Sequence, residues 1–419
     1  MGCGGGAITS MTSMVPTVHE LAEYIPKLFA ADVISPELGK LLWQSYGDNG
    51  VLKKGVIAVE FPTPITGGQW RLQSNGWVGY IPLSVELGLR LQPKVGLANI
   101  FGMLEYAYKL QSFHFLEGLS NFDQLEDFYS SLAEILARRT IDRTRKGLYR
   151  AYIPKSDRRS FVRGRMDLRQ LAQKPWEVKI KCHYQEQTPD IDDNQILLWT
   201  LRTIAACGAC KPEVLVKVRQ AYHALQGTVS LEPCTAQACI KRLYHRLNED
   251  YQPLHALCRF FLEQSGPSHT EGDRKMLPFL VNMARLYELF VAEWLKAHQA
   301  SGLLPHNLAV KSQHQVHITQ DGSLSFNIDL VLFDMTTGQT RYVLDTKYKT
   351  PTSPSTADVA QIIAYATAES CSEAILIYPQ PLQKPLDTRV QNIRVRTLAF
   401  AVDGNLEQGG MHFLQRVLS

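Results

Sequence analysis

From Asn327 to Lys349 two apolar, β-branched-rich runs flank one polar turn. Asn327-Ile328-Asp329-Leu330-Val331-Leu332-Phe333 and Arg341-Tyr342-Val343-Leu344-Asp345-Thr346-Lys347-Tyr348-Lys349 stand either side of Thr337-Gly338-Gln339, a pattern that predicts a β-hairpin. Apolar residues at helical spacing, among them Leu280, Leu286, Tyr287, Phe290 and Trp294, predict a helix over 277–298 that presents Glu288. Asp358 to Ala366 reads as a second helix, with Gln361 and Tyr365 four apart on one face. Ala374-Ile375-Leu376-Ile377-Tyr378 reads as a short buried strand, stopped by Pro379.

Upstream, residues 96–150 read as helical, with Phe122, Leu125, Phe128, Leu132 and Ile135 roughly on one stripe. Gln69 to Ile81 alternates around Asn75-Gly76, a hairpin signal. Residues 190–265 are mostly helical, and Ser265 to Asp273 is polar and turn-rich, as a boundary would be. The expected organisation is a flexible leader over 1–35, a mixed region over 36–180, a mainly helical connection over 181–270 and a final domain over 271–419. The expected fold class is α/β: an α+β N-terminal region followed by a C-terminal α/β/α domain.

The candidate chemistry sits in the 327–349 hairpin. Each predicted strand delivers one carboxylate, Asp329 and Asp345, and Lys347 lies two residues beyond Asp345, on the same face. A strand can carry Asp and Lys simply as a solvated face. Here, however, both carboxylates are embedded in apolar runs, where they are costly unless paired or metal-bound. Two carboxylates and an ammonium suit a hard, oxygen-liganded cation such as Mg²⁺ beside an activated water. Glu288 either completes the metal's shell or is an ordinary helix carboxylate. Gln361 is a candidate for positioning DNA or Lys347, and Tyr365 for packing.

The order helix, strand pair, helix, strand resembles the core of the PD-(D/E)xK nucleases, and the Gln-x-x-x-Tyr helix resembles their RecB-type branch. Further blocks extend the likeness: Leu89-Arg90-Leu91-Gln92-Pro93, Phe101-Gly102-Met103-Leu104-Glu105-Tyr106, Phe161-Val162-Arg163-Gly164-Arg165-Met166-Asp167, Thr188-Pro189-Asp190-Ile191-Asp192-Asp193-Asn194-Gln195 and Leu286-Tyr287-Glu288-Leu289-Phe290. Together with Asp345-Thr346-Lys347 they resemble the McrC family, the endonuclease subunit of the McrBC modification-dependent restriction system. The resemblance implies a restriction-endonuclease-like C-terminal domain that cleaves double-stranded DNA. Asp329 and Asp345 would hold Mg²⁺, Lys347 would orient the attacking water, and Glu288 and Gln361 would assist. It also implies an AAA+ GTPase partner, McrB-like, which forms a ring and which the N-terminal region enters and stimulates. Ile328 stands where many superfamily members carry proline before the first Asp.

Composition adds limits. The 419 residues allow two or three domains, and a net charge of +4 says little about nucleic acid. Between Arg138 and Lys181, however, basic residues far outnumber acidic ones and are interleaved with Tyr149, Tyr152, Phe161 and Trp176. That block can pair with phosphates, stand as a solvated basic face or dock an acidic partner. Arg163 and Arg165 within it, and Lys349 at the end of the 327–349 hairpin, are the candidate DNA contacts. Cys207, Cys210, Cys234 and Cys239 could bind zinc, but their helical surroundings suit buried apolar cysteines better. There is no apolar run of membrane-spanning length, no secretory signal and no P-loop. The expected location is cytoplasmic. Two other readings stand beside the nuclease subunit: an activator of an AAA+ partner that does not cut, and a stand-alone nuclease in DNA repair.

Overall fold

The computed structural model of the chain describes residues 17–48, 55–84, 87–110, 125–174, 176–207, 209–265, 269–271, 274–276, 278–319, 321 and 323–419. The described residues form two compact units. The first holds those within Met1–Glu126, Cys207–Ala209 and Gln264–Ser419; the second, those within Asp127–Ala206 and Cys210–Glu263.

The first unit opens with strands β1 (Thr17–Ala22) and β2 (Lys27–Phe29), helix α1 (Pro36–Tyr46), strands β3 (Ile57–Glu60), β4 (Trp70–Ser74), β5 (Trp77–Pro82) and β6 (Leu87–Gln92), and helix α2 (Leu97–Ala107). Ser35 starts α1 by accepting the Leu38 N–H on its hydroxyl, with proline in the first turn. The Asn75-Gly76 turn does not close the expected hairpin. β4 pairs with β2 and β3, whereas β5 pairs with β6 in another sheet. The Asn75 backbone N–H donates to Val56 O and its side chain to Gly55 O, so the turn is a corner that carries the chain between sheets. Leu21, Leu42, Ile57, Leu72, Ile81 and Leu89 form the core that joins these sheets to α1.

The second unit contains most of α3 (Leu125–Lys146), β7 (Ala151–Arg159), β8 (Arg165–Met166), α4 (Leu168–Gln173), β9 (Ile180–Thr188), α5 (Asp192–Ala206), α6 (Pro212–Leu225) and α7 (Tyr251–Gln264). The helical reading of 96–150 resolves into α2 and α3; Phe122 lies outside the described residues, while Leu125, Phe128 and Leu132 are buried as expected. β7, β9 and β8 form one sheet that carries the basic block, and β9 runs across the expected 180/181 boundary. The Thr188–Gln195 motif is a structural joint. Asn194 is buried, donates to Pro189 O at 2.6 Å and Tyr149 O at 3.0 Å, and accepts from the Tyr251 hydroxyl at 2.7 Å.

The chain then returns to the first unit through β10 (His269–Glu271), β11 (Arg274–Met276) and β12 (Phe279–Asn282), followed by α8 (Met283–Ala300). The helix expected from residue 277 therefore starts at Met283. Phe279-Leu280-Val281-Asn282 pairs antiparallel with β5, and the Asn282 side chain caps α8 by accepting the Arg285 N–H at 3.0 Å. Gly79, at φ 130, makes this pairing possible, because a Cβ there would stand 2.1 Å from Phe279 O.

The remaining elements are β13 (Leu308–His317), β14 (Ser325–Asp334), β15 (Thr340–Thr346), α9 (Thr356–Ala368), β16 (Glu373–Tyr378), β17 (Asp387–Val390), β18 (Ile393–Ala399) and α10 (Leu406–Leu418). The six strands lie in the order β13-β14-β15-β16-β18-β17, with β14 antiparallel to β15 and β15 parallel to β16. Val331, Val343 and Leu376 pack with Ile362, Tyr365 and Ala366 of α9. Leu330, Leu332 and Leu344 alternate with them and are equally buried, so the central strands are covered on both faces. Trp294 of α8 meets Phe400, which stacks on Phe413 of α10. The α/β class agrees with the reading of the sequence.

Candidate active site

The β14–β15 ladder brings the two carboxylates together. Leu330 pairs with Leu344 and Val331 with Val343, and the same register continued by one residue sets Asp329 against Asp345. The Thr346 N–H and hydroxyl both donate to Asp329 Oδ2, at 2.9 and 2.8 Å, which fixes that carboxylate. Asp345 is only 2% exposed. Lys347 lies just past β15, held by its own N–H donating to Ile377 O at 2.8 Å. Its ammonium pairs with Asp345 Oδ2 at 2.6 Å and donates to Gln361 Oε1 at 3.0 Å. Gln361 in turn donates to the Tyr365 hydroxyl at 2.6 Å. The i, i+4 pair on α9 thus orients the lysine.

The electrostatics follow from this crowding. Burial, and then the charge of Asp329, pushes Asp345 up to about 6. Burial, Asp329 and, more weakly, Asp345 push Glu288 up to about 7, against the opposing Arg285. Burial would lower Lys347, but Asp345, Asp329 and Asp358 outweigh it and hold the ammonium charged. Like charges brought together in a partly desolvated place raise one another's pKa, and a divalent cation would relieve that repulsion.

Mg²⁺ keeps several waters and needs only one or two carboxylates, so Asp329 and Asp345 fit it by their chemistry. Glu288 on α8 accepts from Arg285 at 2.8 Å and from the Gln313 amide. Among the described residues no three His, Cys, Asp or Glu side chains already gather as a ligand set, so Glu288 stands as a neighbour in the field of the two aspartates.

Gln313 escaped the sequence reading. It lies on β13, in line with Asp329 between the pairs Ser312–Leu330 and His314–Ile328, at φ 52. Non-glycine residues held in left-handed backbone cluster at functional sites. Nothing in the local sequence signals that conformation, which arises from tertiary pairing.

The other candidates sit elsewhere or are otherwise engaged. Lys349 pairs with Asp358 at 2.5 Å, in the first turn of α9. Arg163, in the second unit, pairs with Glu186 at 3.3 Å and stacks over the Tyr184 ring at 4.3 Å. Arg165 on β8 is exposed. Asp167 near it caps α4 and pairs with Lys181 at 3.6 Å. Gly164 has φ 70, and a Cβ there would stand 2.5 Å from His183 O. Cys207 and Cys210 are buried, and burial pushes the Cys239 thiol up to about 12, an environment that favours the thiol over a thiolate ligand.

The model of a family described as McrBC 5-methylcytosine restriction system component matches residues 72–379. This chain belongs to that family. The resemblance to McrC read from the sequence is thereby borne out, and the aspartates, Lys347 and Gln361 all lie within the matched span of this McrBC component. Five chains of solved structures match. One, from a half-complex of Thermococcus gammatolerans McrB AAA+ hexamers with bound McrC, has a TM-score of 0.53 and 16% identity, and the match covers 96% of this chain and 100% of that one. Another, from the McrBC complex of the same organism, has a TM-score of 0.41 and 16% identity, covering 68% of this chain and 88% of that one. The first likeness shows a shared fold over nearly the full length. No curated protein matches the chain. No helix among the described residues is long and apolar enough to cross a membrane.

Proposed function

We propose that this McrBC component is a Mg²⁺-dependent endonuclease subunit that cuts double-stranded, modified DNA in the cytoplasm, in complex with an AAA+ GTPase. One observation carries the reading: in a member of a restriction-system family, Asp329, Asp345, Lys347 and Gln361 converge at the end of one β-hairpin, where burial and the charge of Asp329 raise the pKa of Asp345.

Asp329 and Asp345 would hold the cation, which when bound supplies Lewis acidity to a phosphate oxygen and acidifies water. Lys347 orients the attacking water and stabilises charge growing on the phosphate oxygens. Gln361 and Tyr365 restrict the ammonium to that position, since Lys347 otherwise has four rotatable bonds. Glu288 is the candidate proton acceptor near neutral pH, where its raised pKa suits general-base work.

The GTPase partner enters by fold likeness to a McrC-bearing assembly. Reconstitution tests the whole reading. The chain, an AAA+ GTPase encoded beside it, GTP and Mg²⁺ are combined with methylated or unmethylated plasmid. Cleavage of methylated plasmid that needs every component is expected. Cleavage by the chain alone would favour a self-sufficient nuclease, and GTPase stimulation with no cleavage under any condition would leave only an activator.

A further inference from the structure

The first unit contains a cavity of about 440 Å³ that this chemistry does not use. Glu23, Tyr24 and Lys94 of the N-terminal segment line it together with Tyr348 and Lys349, the residues that directly follow Lys347 past the end of β15. Glu23 is fully buried, and its Oε1 has no hydrogen-bond partner. Its Oε2 accepts from the Lys94 backbone N–H at 3.3 Å. A buried acceptor left open is costly, and an N–H donor would satisfy it. Tyr24 follows at φ 61, a conformation that a bulky residue keeps only where its surroundings impose it. Tyr24 is 40% exposed, with Lys94 Nζ 4.9 Å from its ring centroid.

A ligand for this cavity should offer a flat ring for Tyr24, an N–H donor for Glu23 and a negative group for Lys94. A cationic peptide satisfies Glu23 but is opposed by Lys94, whose ammonium already lies over the Tyr24 ring. Free phosphate leaves Glu23 unpaired. We propose that the cavity binds a nucleotide whose base carries an amino group, with the base on Tyr24, the amino group donating to Glu23 and the phosphate on Lys94, Lys349 being held by Asp358. The nucleotide comes either from an unstacked position of a DNA strand or from free mononucleotide. A carboxylate accepts the exocyclic amine of cytosine, and stacking on aromatic rings holds single bases. Thymine carries a ring N–H, but carbonyl oxygens flank it on both sides and would face the carboxylate, whereas cytosine and guanine present an amino group there. The inference rests on the proposed nuclease reading for its biological use, and on the cavity alone for binding.

Calorimetry of the full chain without Mg²⁺ tests it, using dCMP, dGMP and dTMP, alongside anisotropy of labelled single-stranded dC and dT oligonucleotides. The expected result is at least tenfold tighter binding of the amino-bearing ligands than of their thymine counterparts. Binding of oligonucleotides alone would identify the strand as the source, and binding of mononucleotides as well would identify the free nucleotide. Glu23→Gln should erase the selectivity, and Lys94→Ala should weaken all ligands alike. Tyr24→Gly removes the ring while relieving the left-handed backbone, so it should fold and lose affinity. Absence of binding, equal affinity for dTMP and dCMP, or unchanged affinity in folded Tyr24→Gly would overturn the proposal. Plasmid cleavage by the reconstituted complex is scored separately, so that base selectivity without cleavage would sink the nuclease reading and leave this site standing.

Discussion

At the scale of single residues, the site depends on carboxylates kept close against their own repulsion. Asp345 is pushed up to about 6 and Glu288 to about 7, both above their ordinary values. A carboxyl whose folded pKa is raised binds its proton more tightly when folded. Its contribution to stability is therefore present at low pH and lost as pH rises through the folded value. The metal-free chain should lose melting temperature between about pH 4 and pH 7, and Mg²⁺ should restore more of it at pH 8 than at pH 5. In Asp345→Asn both effects should shrink; a pH-independent response to Mg²⁺ in the original chain would contradict the shared field. Cleavage should rise with pH over the same range.

Gln313 gives a second residue-scale prediction. Gln313→Gly relieves the left-handed backbone, worth about 1 kcal/mol, and removes the amide that Glu288 accepts from. Stability by denaturant titration should hold or rise while single-turnover cleavage falls roughly tenfold, the scale of a lost positioning contact. Asp329, Asp345, Lys347 and Gln361 were legible in sequence because apolar runs around a carboxylate, and i+2 or i+4 spacing, are local signals. Gln313 was not, because its conformation is imposed by a strand pairing made over a distance.

At the scale of elements, the sequence reading succeeded where a segment's period decides its partner. The hairpin β14–β15 and strand β16 came from short apolar runs bounded by a Gly turn and a proline, and helix α9 from helical spacing. It failed where a short segment could serve either period. Phe279-Leu280-Val281-Asn282 continues the helical stripe of α8, but pairing with β5 and the Asn282 cap make it a strand. The Asn75-Gly76 turn carries a hairpin signal, yet Val56 and Gly55 take its donors. Leu280 is 1% exposed within the N-terminal core, so Leu280→Ala should cost about 2–5 kcal/mol in denaturant unfolding. Gly79→Ala should cost more than an ordinary surface substitution, because its Cβ would strike the Phe279 carbonyl. A neutral Leu280→Ala would mean that β12 does not hold the two parts of the unit together.

At the scale of the whole molecule, the first unit is built from both ends of the chain, which no local pattern announces. Strand β12 lies in a sheet with β1, β5 and β6, and Tyr106 of α2 packs edge-on against Phe290 of α8, 5.8 Å between ring centroids. A fragment of residues 271–419 would therefore expose the β12 edge and the α8 face. It should be poorly soluble and lack a cooperative melt, whereas the full chain melts cooperatively. The same construction places the lining of the Glu23 cavity past the end of β15, directly after Lys347.

The most direct measurement compares the original chain and Asp345→Ala in the same complex with the AAA+ GTPase, scoring plasmid cleavage and GTP hydrolysis side by side. Loss of a buried residue of the reacting centre should lower cleavage by at least about 10²–10³ while GTPase stimulation persists. Undiminished cleavage by Asp345→Ala would contradict the account.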